Sequence, residues 1–260
     1  MTTWRIEGCT VADAAALARN NMSAFWEDPT WVLLWPKEIT REFLIKQGAK
    51  RYPRLLLSDR ETARHQIAVD PTSGALVGYI RWILPSGYST ARDGKPVWPE
   101  AQVPDVSDDE KKQFEELAQS ARWKGREEME HIDDKNDAVM DRILAERPYI
   151  KLEYLAVHPE NKGKGIATAL VEAVIRQAEK IGLPIFVMSY KAGRGVYERL
   201  GFKEVDRVIQ DDSQYGGKGE YGAYFMIYDV PKVSERDAQG SRKLAIPRVN
   251  PFVDVPPYTD

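Results

Sequence analysis

Residues 149–204 read YIKLEYLAVHPENKGKGIATALVEAVIRQAEKIGLPIFVMSYKAGRGVYERLGFKE. The residue pattern predicts a strand over 149–157, then a glycine-bearing loop, then an amphipathic helix whose apolar residues recur at helical spacing. A second strand over 185–189 and a second helix over 191–200 follow. The rest of the chain is organised around this strand, loop, helix, strand and helix.

The loop between the first strand and the first helix carries the residues KGKG at 162–165. Glycine permits positive φ angles and lets a ligand approach the backbone closely. The free N–H groups and the positive dipole at the helix start attract an anion, and a pyrophosphate fits that role. The spacing matches neither the P-loop nor the GxGxxG motif. A solvated turn before a helix is the alternative that this pattern leaves open.

Two polar side chains of this segment are candidates for chemistry. Strict strand alternation would place Glu153 on one face with Leu155 and Val157. A carboxylate among apolar neighbours is the kind of local inconsistency that clusters at functional sites, although a Glu on a half-exposed strand fits equally well. Tyr197 lies in the second helix, where a lone tyrosine is more often a packing residue with a satisfied hydroxyl.

The ordered set LAVHPENKGKGIATAL, IFVMSY and VYERLGF resembles the GNAT-type N-acetyltransferase superfamily, closely over residues 149–204 and more loosely over 3–84 and 205–230. Lys162 stands where the family signature Gln/Arg-x-x-Gly-x-Gly/Ala begins, and it keeps the positive charge. Tyr190 stands where an Asn is often found, seven residues before the helix tyrosine. The resemblance implies an α/β (α+β) fold with a mixed, mostly antiparallel central sheet flanked by helices.

The same resemblance implies an acyltransferase that moves an acetyl group from acetyl-CoA to a primary amine by direct attack, with acetyl-CoA as cosubstrate and no metal. Tyr197 would protonate the leaving thiolate. Because a free alkylammonium titrates at about pH 10, the acceptor needs a base, and Glu153 is the candidate. The implied cofactor-binding residues are Leu155, Ala156 and Val157 for the pantetheine, and Lys162, Gly163, Lys164, Gly165, Ile166, Ala167 and Thr168 for the pyrophosphate.

The acceptor is left open by the sequence. In relatives of this type the segment after the first helix borders the acceptor site, and here it reads WEDPTWVLLWP, residues 26–36. Its tryptophans and the carboxylates Glu27 and Asp28 would suit a cationic or aromatic amine, and packing of the tryptophans against the sheet is the alternative. We expect a small-molecule amine as substrate. A protein N-terminal or lysine acetyltransferase and a catalytically silent CoA-binding module are the other hypotheses.

The composition of the chain limits the classes of partner and the cell compartment that can be expected. The formal net charge of −3 gives no basic excess, so neither a nucleic acid nor an anionic membrane surface is expected as a partner. No apolar run approaches the roughly eighteen residues of a membrane span, and the N-terminus has no leader pattern, which favours the cytoplasm. The single Cys9 cannot form an internal disulfide and is expected to be a small buried hydrophobe.

The chain before the central segment predicts a short strand, two helices and a hairpin. Thr10 has the character of an N-cap for a helix over 11–25, and a second helix is expected over 37–51. Two alternating strands over 63–69 and 75–84 flank a turn with Pro and Gly, which indicates an antiparallel hairpin.

Residues 85–148 lie between the third and fourth predicted core strands and exceed what the family pattern needs. A capping box at Ser107 predicts a charged helix to about residue 121, and a further helix is expected over 134–147. The apolar face of that further helix would be formed by Ala138, Ile143 and Leu144. The segment is either a solvated helical insertion or a lid over the acceptor site.

Two closing strands are predicted over 205–210 and 221–230, so residues 1–230 are expected to form a single GNAT-like domain. The tail, residues 231–260, is proline-bearing and has no periodic pattern. It either lies over the domain or docks on a neighbouring subunit, in which case the protein would be a homodimer.

Overall fold

The computed structural model describes residues 4–91 and 93–231. The predicted tail therefore lies, apart from Pro231, outside the described residues. The strands are β1 (Arg5–Gly8), β2 (Ala63–Val69), β3 (Leu76–Ile83), β4 (Ile150–Val157), β5 (Ile185–Tyr190), β6 (Lys203–Gln210) and β7 (Tyr221–Tyr228). The helices are α1 (Ala14–Phe25), α2 (Pro29–Leu33), α3 (Arg41–Leu57), α4 (Asp108–Gln119), α5 (Asp134–Leu144), α6 (Ile166–Ile181) and α7 (Lys191–Arg199).

The strands form one seven-stranded sheet in the order β1-β2-β3-β4-β5-β7-β6. Neighbouring strands are antiparallel except β4 and β5, which are parallel. The parallel pair follows from the chain path, because α6 crosses between the two strands and returns the chain in the same direction. The expected mixed, mostly antiparallel sheet flanked by helices is confirmed, and the helical insertion does lie between β3 and β4.

Helices cover both faces of the sheet. On one face the fully buried α6 residues Leu170 and Val174 pack in the same cluster as Ile80 of β3 and Ile185 of β5. On the other face α1 and α3 share a cluster with β2 and β3, and α5 shares one with β5 and β7. Cys9 is buried in the cluster of α1 and α3, as expected for a small hydrophobe, and burial raises the pKa of its thiol.

The first half of the chain departs from expectation in two helices, since the short α2 was not predicted and α3 has other bounds. The second long helix begins at Arg41 rather than at 37, because the Thr40 side chain accepts a hydrogen bond from the Phe43 N–H at 3.1 Å and caps it there. It continues through Pro53 to Leu57. The tertiary contacts of the buried Tyr52 and Leu56 outweigh the hydrogen bond that the proline removes.

The insertion contains two helices, of which α4 packs against α3 and α5 packs on β5 and β7. The capping box at Ser107 is confirmed, since the Ser107 side chain accepts from the Glu110 N–H and the Glu110 carboxylate accepts from the Ser107 N–H. Ile143 of α5 is buried and Leu144 is partly buried, as expected. Ala138 is exposed, so its predicted place on the apolar face was wrong.

Close packing of α6 on the sheet depends on Gly78 of β3. A Cβ atom at Gly78 would lie 2.6 Å from Cγ2 of Ile166 and 3.1 Å from Cδ1 of Leu170. These residues form the first turns of α6, so the absence of a side chain at Gly78 lets the start of that helix lie directly on β3. The position of the helix start is thus determined by a residue far away in the sequence.

We predict that Gly78→Ala destabilises the protein by about 1–3 kcal/mol, because the added methyl group overpacks this contact. A matched control is Gly48→Ala in α3, where an added Cβ would meet its neighbours at an ordinary 3.5–3.6 Å. That change is expected to be neutral or stabilising by up to about 1 kcal/mol. Urea titration of both variants measures the difference, and equal stabilities would contradict the packing argument.

Candidate active site

The site lies where β4 and β5 separate. The two strands pair only over Ile150–Leu152 and Ile185–Val187. Beyond that point the edge of β4 that faces β5 has no partner strand, although β4 continues to Val157 and β5 to Tyr190. A gap opens between the strands as a result, with free main-chain groups of β4 along one side.

A β-bulge marks the beginning of this gap. Trp82 lies opposite Leu152 and Arg81 lies opposite Tyr154, so Glu153 has no partner residue on β3. Leu152 and Leu155 consequently both pack in the cluster with α6. The expectation that Glu153 shares a face with Leu155 and Val157 by strict alternation was therefore wrong, because the bulge resets the alternation at Glu153.

A cavity of about 850 Å³ occupies the gap between the strands. It is bordered by the end of α1, the start of α2, β4, the loop before α6, the ends of β5 and α7, and the start of β7. Of the ten cofactor-binding residues expected from the sequence, all but Ala156 and Lys164 line it. Tyr197 and Glu153 line the same cavity, so the structure brings these candidates together.

The loop before α6 presents a row of free donors. Gly163 and Gly165 have φ angles of 77° and 80°, and a Cβ atom at either position would meet nothing within 4 Å. Within the described residues, the backbone N–H groups of residues 163–168 have no hydrogen-bond partner. They belong to a loop that leads into a helix of sixteen residues, so the helix dipole adds to their attraction for an anion.

Side chains from distant segments hold this loop in place. The Trp4 indole N–H donates to the Lys164 carbonyl at 3.0 Å, and the Lys164 ammonium donates to Oδ1 of Asn161 at 2.8 Å. The Lys162 ammonium lies 3.0 Å from a carboxylate oxygen of Glu27. Both members of that ion pair are about half exposed, so it is weak, and Lys162 can exchange Glu27 for a phosphate.

Tyr197 is suited to donate a proton. Its ring is buried and packs edge-to-face on Phe202 with 5.3 Å between ring centroids. Gly193 leaves room for it, since a Cβ there would lie 3.4 Å from the Tyr197 ring and only 2.9 Å from Oγ of Ser189. Burial raises the pKa of Tyr197, so the hydroxyl keeps its proton at neutral pH.

Glu153 is held by two cations. One carboxylate oxygen lies 3.1 Å from Nε of Arg81, and the other accepts a hydrogen bond from the Lys151 ammonium at 3.4 Å. The Arg81 side chain is only 14% exposed, whereas that of Glu153 is 32% exposed and faces the cavity. The bulge and the ion pairs together fix the position of the carboxylate.

Aromatic rings line the end of the cavity away from the glycine loop. Phe25 packs edge-to-face on Tyr154 with centroids 4.8 Å apart, and Tyr190 and Tyr221 form the neighbouring wall. The tryptophans expected to border the acceptor site do not line the cavity. Trp31 and Trp35 instead pack edge-to-face in a hydrophobic cluster, where Trp35 also contacts Trp123.

Glu27 and Asp28 do line the cavity. Asp28 caps α2, since its Oδ1 accepts from the N–H groups of Thr30 and Trp31 at 2.9 Å. The Thr30 hydroxyl donates to Oδ2 of the buried Asp212 at 2.8 Å. These bonds place the acidic start of the short helix at the cavity. The sequence pattern suggested the two carboxylates, but neither the helix nor its hydrogen bond to Asp212.

A hydrogen-bonded chain connects the cavity to the insertion. The Tyr190 and Tyr221 hydroxyl oxygens are 2.9 Å apart, and the Tyr221 hydroxyl donates to Oδ1 of Asp133 at the start of α5. The Asn136 amide donates to the same Oδ1 at 2.7 Å. Sequence reasoning missed Tyr221 and Asp133. An Asp-Asp pair before a helix and a tyrosine at a strand start are too common to have identified them.

The insertion supports the cavity from outside. The guanidinium group of Arg126 donates to the carbonyls of Leu33 and Tyr215, each at 3.1 Å, and so joins α2 to the loop before β7. None of the described residues of the insertion lines the cavity. This favours a helical insertion over a lid as the interpretation of residues 85–148, and the insertion braces segments that border the cavity.

Comparisons with known proteins agree with this geometry. Residues 102–213 match the profile of the acetyltransferase (GNAT) domain family. No curated protein matches the sequence of this chain. The fold is similar to that of the C-terminal condensation domain of Ebony, solved with beta-alanyl-dopamine, with a TM-score of 0.58, 10% identity, and coverage of 88% of this chain and 100% of that chain.

Two further solved structures are similar in fold. A histone acetyltransferase HPA2 and related acetyltransferase from Corynebacterium glutamicum gives a TM-score of 0.52 at 16% identity, covering 89% of this chain and 99% of that one. A putative arylalkylamine N-acetyltransferase from the yellow fever mosquito gives 0.50 at 15% identity, covering 88% of each chain.

The match to the acetyltransferase (GNAT) domain covers β4, the glycine loop, α6, β5, α7 and β6. That match, together with the fold, supports an acetyl-CoA-dependent acyltransferase. Among the described residues, no helix is both long and apolar enough to cross a membrane.

We predict that Gly165→Glu lowers the affinity for acetyl-CoA by at least about 100-fold, because the new side chain fills the space over the N–H groups and repels an anion. That factor corresponds to the loss of one or two hydrogen bonds to a charged group. Gly87→Glu is the matched control, since Gly87 has the same φ of 80° and equally open surroundings but lies away from the cavity. Calorimetric titration compares them, and equal affinities would exclude the loop as the cofactor site.

Proposed function

We propose that the protein transfers an acetyl group from acetyl-CoA to the primary amine of a small molecule by direct attack. The observation that carries this proposal is the cavity between β4 and β5. It joins the free N–H groups of residues 163–168 to an end lined by aromatic rings and carboxylates. One end therefore suits a pyrophosphate, and the other suits an amine.

The residues present fit acetyl-CoA, which supplies an activated acetyl thioester when it is bound. The N–H groups from Gly163 to Thr168 would bind the pyrophosphate, with Lys162 and Lys164 adding charge. The free edge of β4 over Leu155, Ala156 and Val157 would pair with the pantetheine amides in place of a strand. The same edge offers N–H groups that would polarise the carbonyl under attack.

Two side chains would transfer protons during the reaction, one as a base and one as an acid. Glu153 would take a proton from the acceptor nitrogen, directly or through one water molecule, because its carboxylate is fixed beside the bulge. Tyr197 would donate its proton to the sulfur as the thiol leaves. Its raised pKa keeps that proton available at neutral pH. We assign this chemistry to a single domain that extends to residue 230.

Enclosure of the acceptor end supports a small-molecule substrate. Asp212 bonds the Thr30 hydroxyl of α2 and the Gly219 N–H of the loop before β7, each at 2.8 Å. Arg126 joins the same helix and loop from outside. A polypeptide acceptor needs an open groove at this place, whereas these bonds hold α2 and the loop together.

A direct test begins with calorimetric titration by acetyl-CoA, followed by thiol release with a panel of amines. The panel contains 2-phenylethylamine, tyramine, putrescine, aniline and a peptide with a free N-terminus and a lysine. Thiol release with a small amine supports the proposal. Release with the peptide alone would assign a protein acceptor, and binding without any release would indicate a silent CoA-binding module.

We predict that Tyr197→Phe lowers kcat by about 10- to 100-fold, because a positioned acid contributes at least that much, and leaves the acetyl-CoA affinity nearly unchanged. Phe202→Leu serves as a control for the packing of the Tyr197 ring, since it alters the ring contact and keeps the hydroxyl. Steady-state kinetics and calorimetry measure the two effects. An unchanged kcat in Tyr197→Phe would remove this residue from the mechanism.

For Glu153→Gln we expect a drop in kcat of about 10- to 100-fold with little change in acetyl-CoA binding, because the amide cannot accept the proton. The size of the side chain remains nearly the same, and its one amide oxygen can still accept from Arg81 or Lys151 but not from both, so the stability of the variant has to be compared with that of wild type. Thermal unfolding checks that point. Full activity in this variant would show that the proton from the nitrogen goes elsewhere.

A further inference from the structure

The bonds between Tyr190, Tyr221 and Asp133 have a defined direction. A charged carboxylate can only accept hydrogen bonds, and each tyrosine hydroxyl has one proton. The Tyr221 proton therefore points to Asp133, and Tyr190 donates to the Tyr221 oxygen at 2.9 Å. This order leaves lone pairs of the Tyr190 oxygen free to accept a hydrogen bond from a group in the cavity, which Tyr190 lines.

The proton balance of the reaction calls for more than one proton acceptor. An amine that arrives as an ammonium ion must lose one proton before its nitrogen can attack. After the N–C bond has formed and the C–S bond breaks, the nitrogen loses a second proton, and the sulfur gains one. The net change is the release of one proton to solvent. Glu153 can accept only one of the two nitrogen protons in each turnover.

We propose that Tyr190, Tyr221 and Asp133 form a proton relay that deprotonates the acceptor ammonium, and that the acceptor is therefore a basic aliphatic amine. This inference rests on the proposed function. The ammonium proton passes to the Tyr190 oxygen, the Tyr190 proton passes to Tyr221, and the Tyr221 proton passes to Asp133. The carboxylate becomes a carboxylic acid, both tyrosines regain their protons, and the amine becomes neutral.

The surroundings of Asp133 fit the outer end of such a relay. Asp133 is partly exposed at the start of α5, so it can pass its proton to solvent. Glu153 is less suited to the first proton, because Arg81 and Lys151 hold both of its oxygens. We accordingly assign to Glu153 the proton that leaves the nitrogen after attack.

The charges around the relay favour an ammonium ion in the cavity. Burial raises the pKa of Tyr190 to about 12 and also raises that of Tyr221, so both hydroxyls stay neutral and pass protons without being ionised. Carboxylates dominate the neighbourhood, which attracts a cation. Besides Asp133, the charged groups that act on Tyr190 are Asp28 of α2 and Asp137 of α5, and the paired Lys191 and Glu220 line the cavity beside it. Asp141 and Lys151 lie near Asp137, and Asp134 pairs with His131 at the exposed start of α5.

The test compares Asp133→Asn, Tyr221→Phe and Tyr190→Phe with wild type, using 2-phenylethylamine, tyramine and putrescine as basic acceptors. Asp134→Asn is the matched control, because it removes a negative charge from the residue next to Asp133. The Asp134 side chain is 67% exposed and pairs with His131. Thermal unfolding confirms that each variant is folded. Thiol release between about pH 6 and pH 9 gives kcat/KM.

In the variants only the free amine can react, so kcat/KM should rise by about tenfold per pH unit over this range. Wild type and Asp134→Asn should vary much less with pH. Near pH 6 the relay variants should be at least about 10-fold slower than wild type. The loss of kcat/KM in the relay variants should be smaller with 2,2-difluoro-2-phenylethylamine, because its fluorine atoms make the amine less basic. The loss of kcat/KM in Glu153→Gln should be the same with this acceptor as with 2-phenylethylamine.

Parallel pH profiles in wild type and the relay variants would overturn the relay and leave the proposed function intact. Thiol release by wild type with aniline, but with none of the basic small amines, would overturn the inferred acceptor class and the relay with it. Release with the peptide alone would overturn the small-molecule acceptor of the proposed function. No release with any acceptor would overturn both proposals. The wild-type result therefore separates failure of the relay from failure of the proposed function.

Discussion

The separation of β4 from β5 is the constraint on which the rest of the structure depends. Parallel strands joined by a crossover helix ordinarily pair along their length, but here pairing stops after Leu152 and Val187. The bulge at Glu153 turns β4 away, and the unpaired edge is then available to a ligand that can substitute for a strand. The gap also connects the two faces of the sheet. In the proposed reaction, cofactor and acceptor would approach from opposite sides and meet between the strands.

The cofactor end depends on how closely α6 lies on the sheet. Its start carries the free N–H groups, and its first turns lie directly on β3 because Gly78 has no side chain. The indole N–H of Trp4, the residue before β1, donates to the Lys164 carbonyl and so holds the loop before α6. The anion site is thus positioned by packing and one indole hydrogen bond, while its charge comes from backbone dipoles that cost nothing to orient once the helix is folded.

The resemblance to the acetyltransferase family implied the mixed sheet and the proposed cofactor end, and local patterns predicted most of the individual strands and helices. The strand, glycine loop and helix of residues 149–181 form one chain segment, and hydrophobic periodicity determines its arrangement. The acceptor end could not be predicted in the same way. The short helix α2 depends on Asp28 at its start and on Asp212, which is distant in sequence, and the bulge at Glu153 leaves no mark in the alternating pattern. Tertiary hydrogen bonds decide both features.

The acceptor end is assembled from segments that are distant from one another in the sequence. Asp133 and Arg126 come from the insertion, and each bonds to a segment that encloses the cavity. A buried polar group is stable only when its partners are in place, so the insertion and the cavity wall depend on each other. A change in the insertion would therefore alter the acceptor end without touching a residue of the cavity. Specificity for the acceptor can then vary through the insertion, while the gap between β4 and β5 and the glycine loop keep the chemistry constant.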